Sequence, residues 1–192
     1  MKLEKGDALI IVDVQNDFLP GGALGVTDGN EIIPVLNEYA CKFAGEFLPV
    51  FITRDWHPEN HCSFKEQGGI WPPHCIANTK GAEFPEDLKL PANTHTISKA
   101  IYSDNDAYSG FGGTNLGSRL RDMGIKRVFI GGLATDYCVK ATVQDAIVSW
   151  GFEAFYLKDA SRAVNVKPND EKEAEEAMKK SGAKVISLAD IV

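Results

Sequence analysis

Short apolar runs alternate with segments of helical periodicity along the whole chain. These patterns predict a buried strand at residues 8–14 and further strands at residues 48–54, 94–99, 127–132, 152–157 and 184–188. Helical spacing and end signals predict helices at residues 31–47, 115–122, 137–150 and 170–180. Strands that alternate with helices pair in parallel through right-handed crossovers. We therefore expect one domain over residues 1–192, a three-layer α/β/α arrangement around a six-stranded, mainly parallel sheet.

Composition narrows the choice of partner. The chain carries 20 basic and 27 acidic residues, a net charge of −7, and 44% of its residues are hydrophobic. This balance argues against nucleic acid as a partner, because phosphate binding relies on basic patches. No apolar run approaches the ~18 residues that a membrane helix needs. We expect neither nucleic acid nor a membrane as a partner, while homo-oligomerisation stays open.

The N-terminal segment and the number of cysteines both indicate the cellular compartment. The first apolar run stops at Asp13, too early for a signal peptide with a cleavage site. The four cysteines, Cys41, Cys62, Cys75 and Cys138, are sparse for this length. A reduced, cytoplasmic setting is therefore expected, where cysteine serves packing, metal binding or catalysis.

Chemically capable side chains follow four of the predicted strands. The first strand runs into Asp13, the second into Asp55 and His57, and the third ends at Lys99. The fourth turns through a glycine pair towards Cys138. Ligands of open α/β sheets bind outside the carboxyl ends of the strands. We therefore expect these five side chains to share one face of the domain.

Cys138 lies near the start of a predicted helix, with Thr135 or Asp136 as its N-cap. Free N–H groups and the helix dipole there favour a thiolate and can also hold an oxyanion. A buried structural cysteine is the alternative. Asp13 could be a turn aspartate, but next to a thiol it is a candidate general base. Lys99 could be a solvent-exposed lysine, but between Asp13 and Cys138 it would stabilise the carboxylate and the thiolate.

Residues 53–75, "TRDWHPENHCSFKEQGGIWPPHC", hold three of the four histidines and two of the three tryptophans. Asp55, His57 and His74 offer mixed nitrogen and oxygen donors, which suit zinc, iron or manganese and leave positions open for water or substrate. His61 and Glu66 are further candidate ligands.

Two other interpretations of this stretch stay open. Cys62 and Cys75 could form a structural zinc site, although their spacing lacks the paired C-x₂₋₄-C pattern. A loop without metal is the other. The glycine-rich residues 109–118 do not have the G-x-G-x-x-G spacing of a dinucleotide site, and a flexible loop entering a helix explains them better.

Five motifs resemble a known family: "IIVDVQNDF", "TRDWHPENH", "WPPHC", "SKAIYSDNDAYSGF" and "GLATDYCVKATVQDA". They are similar to the nicotinamidase branch of the isochorismatase-like cysteine hydrolases, over essentially the whole chain. The resemblance implies the isochorismatase-like, Rossmann-like fold. It also implies hydrolysis of nicotinamide to nicotinate and ammonia in NAD salvage, through a cysteine thioester, with pyrazinamide as a further substrate.

The resemblance assigns roles to individual residues. It implies a catalytic set of Asp13, Lys99 and Cys138, and an oxyanion hole from the Ala134 and Cys138 amides, formed through a cis peptide at Leu133–Ala134. It implies one divalent metal ion, zinc first and iron or manganese as alternatives, on Asp55, His57 and His74, completed by waters, with Glu66 and His61 as candidates for one more ligand. It implies a substrate pocket of Phe18, Leu24, Trp71, Tyr102, Ala134 and Tyr137.

Three other functions remain to be distinguished. A related cysteine hydrolase acting on an N-carbamoyl group or another small amide is the nearest, and should not need Asp55, His57 and His74 together. An isochorismatase would not need a thiol nucleophile. A noncatalytic metal-binding or partner-binding module would release no ammonia from nicotinamide.

Overall fold

A computed structural model describes all residues from 1 to 192. The strands are β1 (Asp7–Val12), β2 (Val50–Asp55), β3 (His95–Lys99), β4 (Arg127–Leu133), β5 (Glu153–Arg162) and β6 (Lys184–Ile186). The helices are α1 (Ile32–Gly45), α2 (Leu116–Asp122), α3 (Lys140–Val148) and α4 (Asp170–Lys180). Each predicted strand and helix is present. A π-helical turn, Thr135–Val139, precedes α3 where one continuous α-helix from residue 137 was predicted.

All six strands pair in parallel, in the order β3-β2-β1-β4-β5-β6. The chain adds β2 and β3 on one side of β1 and then returns to place β4 on the other side. The order therefore reverses between β1 and β4, and ligands of such sheets bind at this point, outside the carboxyl ends of the strands.

Alternation along β1 divides the core into the two halves of a three-layer domain. Leu9 and Ile11 pack with α1 residues such as Leu36, and all three are fully buried. Ile10 belongs to the opposite cluster, together with Val143 of α3 and residues of α2 and α4. Because β1 is buried on both faces, its sequence reads as a continuous apolar run. The predicted α/β/α class is confirmed.

Gly132 allows the end of β4 to approach β1 closely. Its φ is +132°, and a Cβ atom there would lie 2.1 Å from the carbonyl oxygen of Val12. Only glycine fits a position with both properties. The approach brings the turn after β4, which contains Cys138, beside the residue that follows β1, Asp13.

None of the helices has both the length and the apolar character that crossing a membrane would require.

Candidate active site

Asp13, Lys99 and Cys138 meet at the carboxyl ends of β1, β3 and β4. Lys99 Nζ lies 3.0 Å from Asp13 Oδ2 and 3.6 Å from Cys138 Sγ. It also donates to Asp55 Oδ1 at 2.5 Å and to the carbonyl oxygen of Ala107 at 2.9 Å. All of the side chains in this group are buried. The strand ends thus bring together the residues that the sequence suggested, in a site shielded from water.

Asp13 is held so that one carboxylate oxygen remains free. Its backbone has a left-handed φ of +49°, and its N–H donates to the carbonyl oxygen of Thr53 at 3.2 Å. Thr53 Oγ1 donates to Asp13 Oδ1 at 2.6 Å. Oδ2 accepts no hydrogen bond, although the Lys99 ammonium lies near it. This oxygen can therefore accept a proton without losing an existing hydrogen bond.

Burial and charge act in opposite directions within the group. Burial alone would lower the pKa of Lys99, but Asp13 and Asp55 raise it well above its usual value. Burial would raise the pKa of Asp55, but Lys99 and His57 outweigh burial and lower it. For Asp13, burial prevails over Lys99, so its pKa is raised. Asp13 is therefore the more basic of the two carboxylates.

Cys138 differs electrostatically from the expectation for a helix start. Burial raises the pKa of its thiol well above the usual value; Lys99 opposes this shift, and the two nearby carboxylates, Asp13 and Asp55, reinforce it. Burial and the negative neighbours therefore favour the thiol, in opposition to the effect expected of the helix start. Cys138 rests as a thiol beside a carboxylate that can take its proton.

Asp55, His57 and His74 form a second group that borders the first. Their potential ligand atoms all lie within 4.8 Å of one another, and all three residues are buried. His57 Nδ1 lies 3.2 Å from the carbonyl oxygen of Ala100, and His74 Nδ1 lies 2.8 Å from that of Pro72. A ring that donates from Nδ1 presents the lone pair of Nε2 as a ligand. The donor set therefore fits a divalent cation.

His61 and Glu66 do not join this group, which corrects the expectation of a further ligand. His61 stacks on His57 with ring centroids 4.1 Å apart. However, its Nδ1 bonds Ser63 Oγ at 2.7 Å and its Nε2 faces the carbonyl oxygen of Asn105 at 3.3 Å. Both nitrogens are thus engaged elsewhere. Glu66 is exposed on a short 3₁₀ turn.

The alternative zinc site built on cysteines finds no support. Cys62 and Cys75 are both free thiols, and neither belongs to a group that could hold a metal. Cys75 is fully buried in the apolar core, and its N–H donates to Asp17 Oδ2 at 2.7 Å. Asp17 thereby ties the segment that carries His74 to the loop after β1.

A cavity of about 530 Å³, including the part of its mouth open to solvent, joins the two groups. Its walls are mostly apolar. Five of the predicted substrate-pocket residues line it, namely Phe18, Leu24, Trp71, Ala134 and Tyr137. Cys138, Asp55, His57 and His74 border the same space. A flat aromatic molecule in this cavity would face the thiol and the candidate metal ligands together.

The placement of Tyr102 in this pocket is wrong. Its side chain is 61% exposed and does not line the cavity, because the chain turns there and pairs Tyr102 with Asn105 at the surface. Tyr108 lines the cavity instead, and its hydroxyl accepts a hydrogen bond from Trp71 Nε1 at 3.1 Å. Both tyrosines stand in one motif, so the motif indicated the right loop but not the right residue.

Several cavity residues carried no sequence signal. Ser63 and Val164 line it, and both belong to irregular loops. The Val164 segment is held by Asp136, whose carboxylate accepts hydrogen bonds from the Val164 and Asn165 N–H groups, each at 2.9 Å. Asp136, one of the two N-cap candidates, instead anchors this neighbouring loop.

The peptide bond between Leu133 and Ala134 is cis, as the resemblance implies. The carbonyl oxygen of Ala134 accepts hydrogen bonds from the N–H groups of Tyr137 and Val139. The Ala134 N–H itself donates to no group of the protein. A donor is thus available at the cavity wall, next to Cys138.

Comparison with known proteins identifies the family. Residues 7–190 match the isochorismatase domain, and the chain belongs to this family. It is 37% identical to the nicotinamidase of Escherichia coli, in an alignment that covers 95% of each chain.

Solved structures give the same result. A pyrazinamidase of Pyrococcus horikoshii, crystallised in complex with zinc, is 51% identical, with a TM-score of 0.91 over 95% of this chain and 99% of the other. A protein of L. infantum called PnC1, solved in complex with nicotinate, is 35% identical, with a TM-score of 0.90 over 98% and 96% of the two chains. The predicted resemblance to the nicotinamidase branch is confirmed.

Proposed function

We propose that this protein is a nicotinamidase that hydrolyses nicotinamide to nicotinate and ammonia in NAD salvage, and that it also accepts pyrazinamide. The observation that carries the proposal is one aromatic-walled cavity bordered by both Cys138 and the Asp55, His57 and His74 group. The names of its relatives, nicotinamidase and pyrazinamidase, agree with it. The free cysteines are consistent with a cytoplasmic setting.

Asp13, Lys99 and Cys138 are the proposed catalytic residues. Asp13 Oδ2 takes the thiol proton of Cys138, and the thiolate attacks the carboxamide carbon. The Ala134 and Cys138 N–H groups hold the developing oxyanion. Asp13 then returns the proton to the leaving ammonia, and a thioester to Cys138 remains.

The second half of the reaction restores the enzyme. Asp13 takes a proton from a water molecule, and the resulting hydroxide attacks the thioester carbon. The carbon–sulfur bond breaks, the proton held by Asp13 returns to the sulfur of Cys138, and the product leaves as nicotinic acid, which gives up its proton to solvent and becomes nicotinate. Lys99 Nζ, 3.0 Å from Asp13 Oδ2, stabilises the negative charge of Asp13 whenever its carboxylate is ionised.

The cavity walls orient the ring. Phe18 and Trp71 lie where they can pack against it, and offset aromatic contacts contribute roughly 1 kcal/mol beyond burial. Asp55, His57 and His74 would hold one divalent ion, which we propose is zinc, with iron and manganese as alternatives that suit the same donors. When bound, such an ion supplies a Lewis-acidic anchor for the pyridine nitrogen.

The proposal is tested by ammonia release from nicotinamide, with Cys138→Ala and the exposed Cys41→Ala as a matched pair. We expect turnover in the wild type and in Cys41→Ala, and none in Cys138→Ala, which should still bind nicotinamide. Substantial turnover by Cys138→Ala would falsify the assignment of the nucleophile. Release of ammonia from an N-carbamoyl substrate but not from nicotinamide would favour the related cysteine hydrolases instead.

A further inference from the structure

Gln15 is a fully buried side chain whose amide bonds to the backbone of Asp55 on both sides. Its Oε1 accepts from the Asp55 N–H at 2.8 Å. Its Nε2 donates to the carbonyl oxygen of Asp55 at 2.8 Å and to that of Ala82 at 2.9 Å. Three hydrogen bonds thus join the loop after β1 to the end of β2 and to a loop beyond it.

These three hydrogen bonds of Gln15, called the Gln15 clamp below, lie where β1 and β2 move apart. The last main-chain hydrogen bond between the β1 and β2 segments joins the Asp13 N–H to the carbonyl oxygen of Thr53, whereas Asp55 lies two residues further along β2. The Gln15 amide replaces the missing main-chain partner, because a primary amide donates and accepts as a peptide group does. The backbone of Asp55 is therefore fixed from the β1 side by Gln15.

Asp55 needs a defined position because its two oxygens face different groups. Oδ1 accepts from Lys99 Nζ at 2.5 Å, and Oδ2 lies 3.6 Å from His57 Nε2. We propose that Gln15 is a positioning residue for the metal site: it fixes the Asp55 backbone so that Oδ2 can ligate a cation together with His57 and His74. This inference rests on the proposed metal site.

The chemistry of the side chain makes the proposal specific to glutamine. Methionine would fill much the same volume but could form none of the three hydrogen bonds. Glutamate could still accept from the Asp55 N–H, but its second oxygen would face two carbonyl oxygens, which only accept. Gln15→Met and Gln15→Glu therefore disrupt the clamp in two different ways.

Asn16 offers a matched control. Its Nδ2 donates to the carbonyl oxygen of Lys80 at 2.8 Å, so it ties the same two loops together without touching Asp55. Asn16→Ala thus measures the effect of loosening the loops alone.

The experiment measures zinc affinity by competition with a chromogenic chelator, together with kcat and KM for nicotinamide as zinc is raised. Groups that orient metal ligands typically contribute about 10- to 100-fold in affinity. We expect both Gln15 variants to bind zinc at least about tenfold more weakly, and their turnover to recover as zinc is added. Asn16→Ala should bind zinc as the wild type does.

Each other outcome has a defined meaning. Gln15 variants that are folded by circular dichroism and bind zinc as tightly as the wild type would overturn the inference. An equal loss in Asn16→Ala would also overturn it, since loop loosening would then suffice. Loss of turnover that added zinc cannot restore would assign Gln15 a purely structural role. If the wild type itself binds no zinc, the proposed metal site fails.

Discussion

Replacing Lys99 with methionine should destabilise the protein strongly at neutral pH. Lys99 is 1% exposed, and its ammonium is the only cation that contacts both Asp13 and Asp55, at 3.0 and 2.5 Å. Methionine fills the space but removes the positive charge that the two buried carboxylates share. Removing one partner of a buried ion pair costs about 3–5 kcal/mol, because the remaining charge stays desolvated.

The loss should shrink as pH falls. In the wild type the pKa of Asp55 is lowered, so its contribution to stability is present above the pKa of the unfolded chain and disappears as pH falls through the folded value. In Lys99→Met the effect of burial on Asp55 loses its main opponent, so its pKa should rise, and the pKa of Asp13, already raised in the wild type, should rise further. Each carboxylate then destabilises the fold at neutral pH and ceases to do so once it is protonated.

Urea unfolding of the chelator-treated proteins at pH 8 and pH 5 measures both effects. Lys158→Met is the matched control, because Lys158 pairs with Glu175 at 2.8 Å at the surface, where a pair contributes about 0–1 kcal/mol. Adding Asp55→Asn to Lys99→Met should restore part of the loss. A free energy of unfolding for Lys99→Met that matches the control at both pH values would refute this account of the buried charges.

Three further changes test other parts of the structure. Gly132→Ala should lower the melting temperature several times more than Gly45→Ala does. A Cβ atom at position 132 would lie 2.1 Å from a β1 carbonyl oxygen, whereas a Cβ atom at position 45 would have nothing within 4 Å. Equal melting temperatures of the two variants would contradict this. Trp71→Ala should raise KM for nicotinamide while Tyr102→Ala leaves it unchanged, since only the former lines the cavity. A chelator should lower the melting temperature of the wild type but not of His57→Ala, and an equal drop in both would argue against this ligand.

The central strands β1, β2 and β4 could be predicted from sequence because almost all of their residues are buried. A strand covered on both faces, such as β1, needs an unbroken apolar run, and a parallel sheet needs its helices between strands. The residues that follow the strands were likewise predictable as a group. Their positions depend only on where an apolar run stops, as at Asp13 and Lys99.

The loops could not be predicted in the same way. The segments that carry His61 and Tyr102 are arranged by long-range hydrogen bonds, such as the one from the Cys62 N–H to the carbonyl oxygen of Ser103 at 2.7 Å. No periodicity in sequence reports such contacts. Gln15 was missed for the same reason: its partners lie 40 and 67 residues away.

The protonation state of Cys138 could not be predicted from sequence, for a different reason. Its position at the start of a helical segment was predicted, but the sign of its pKa shift depends on how deeply it is buried and on which charges surround it. Those quantities follow from the packing of several elements, so a local rule about helix starts did not suffice.

The free oxygen of Asp13 has a consequence for the number of protons in the site. In the proposed mechanism the thiol proton moves from Cys138 to Asp13, and the buried set of Asp13, Asp55, Lys99 and Cys138 thereby keeps both its proton count and its net charge. Activation therefore requires no exchange with bulk water, and the interior never has to hold an additional charge. The reactive form is an isomer of the resting form, related to it by an internal proton shift, and the set as a whole determines the apparent pKa values that a pH profile would measure.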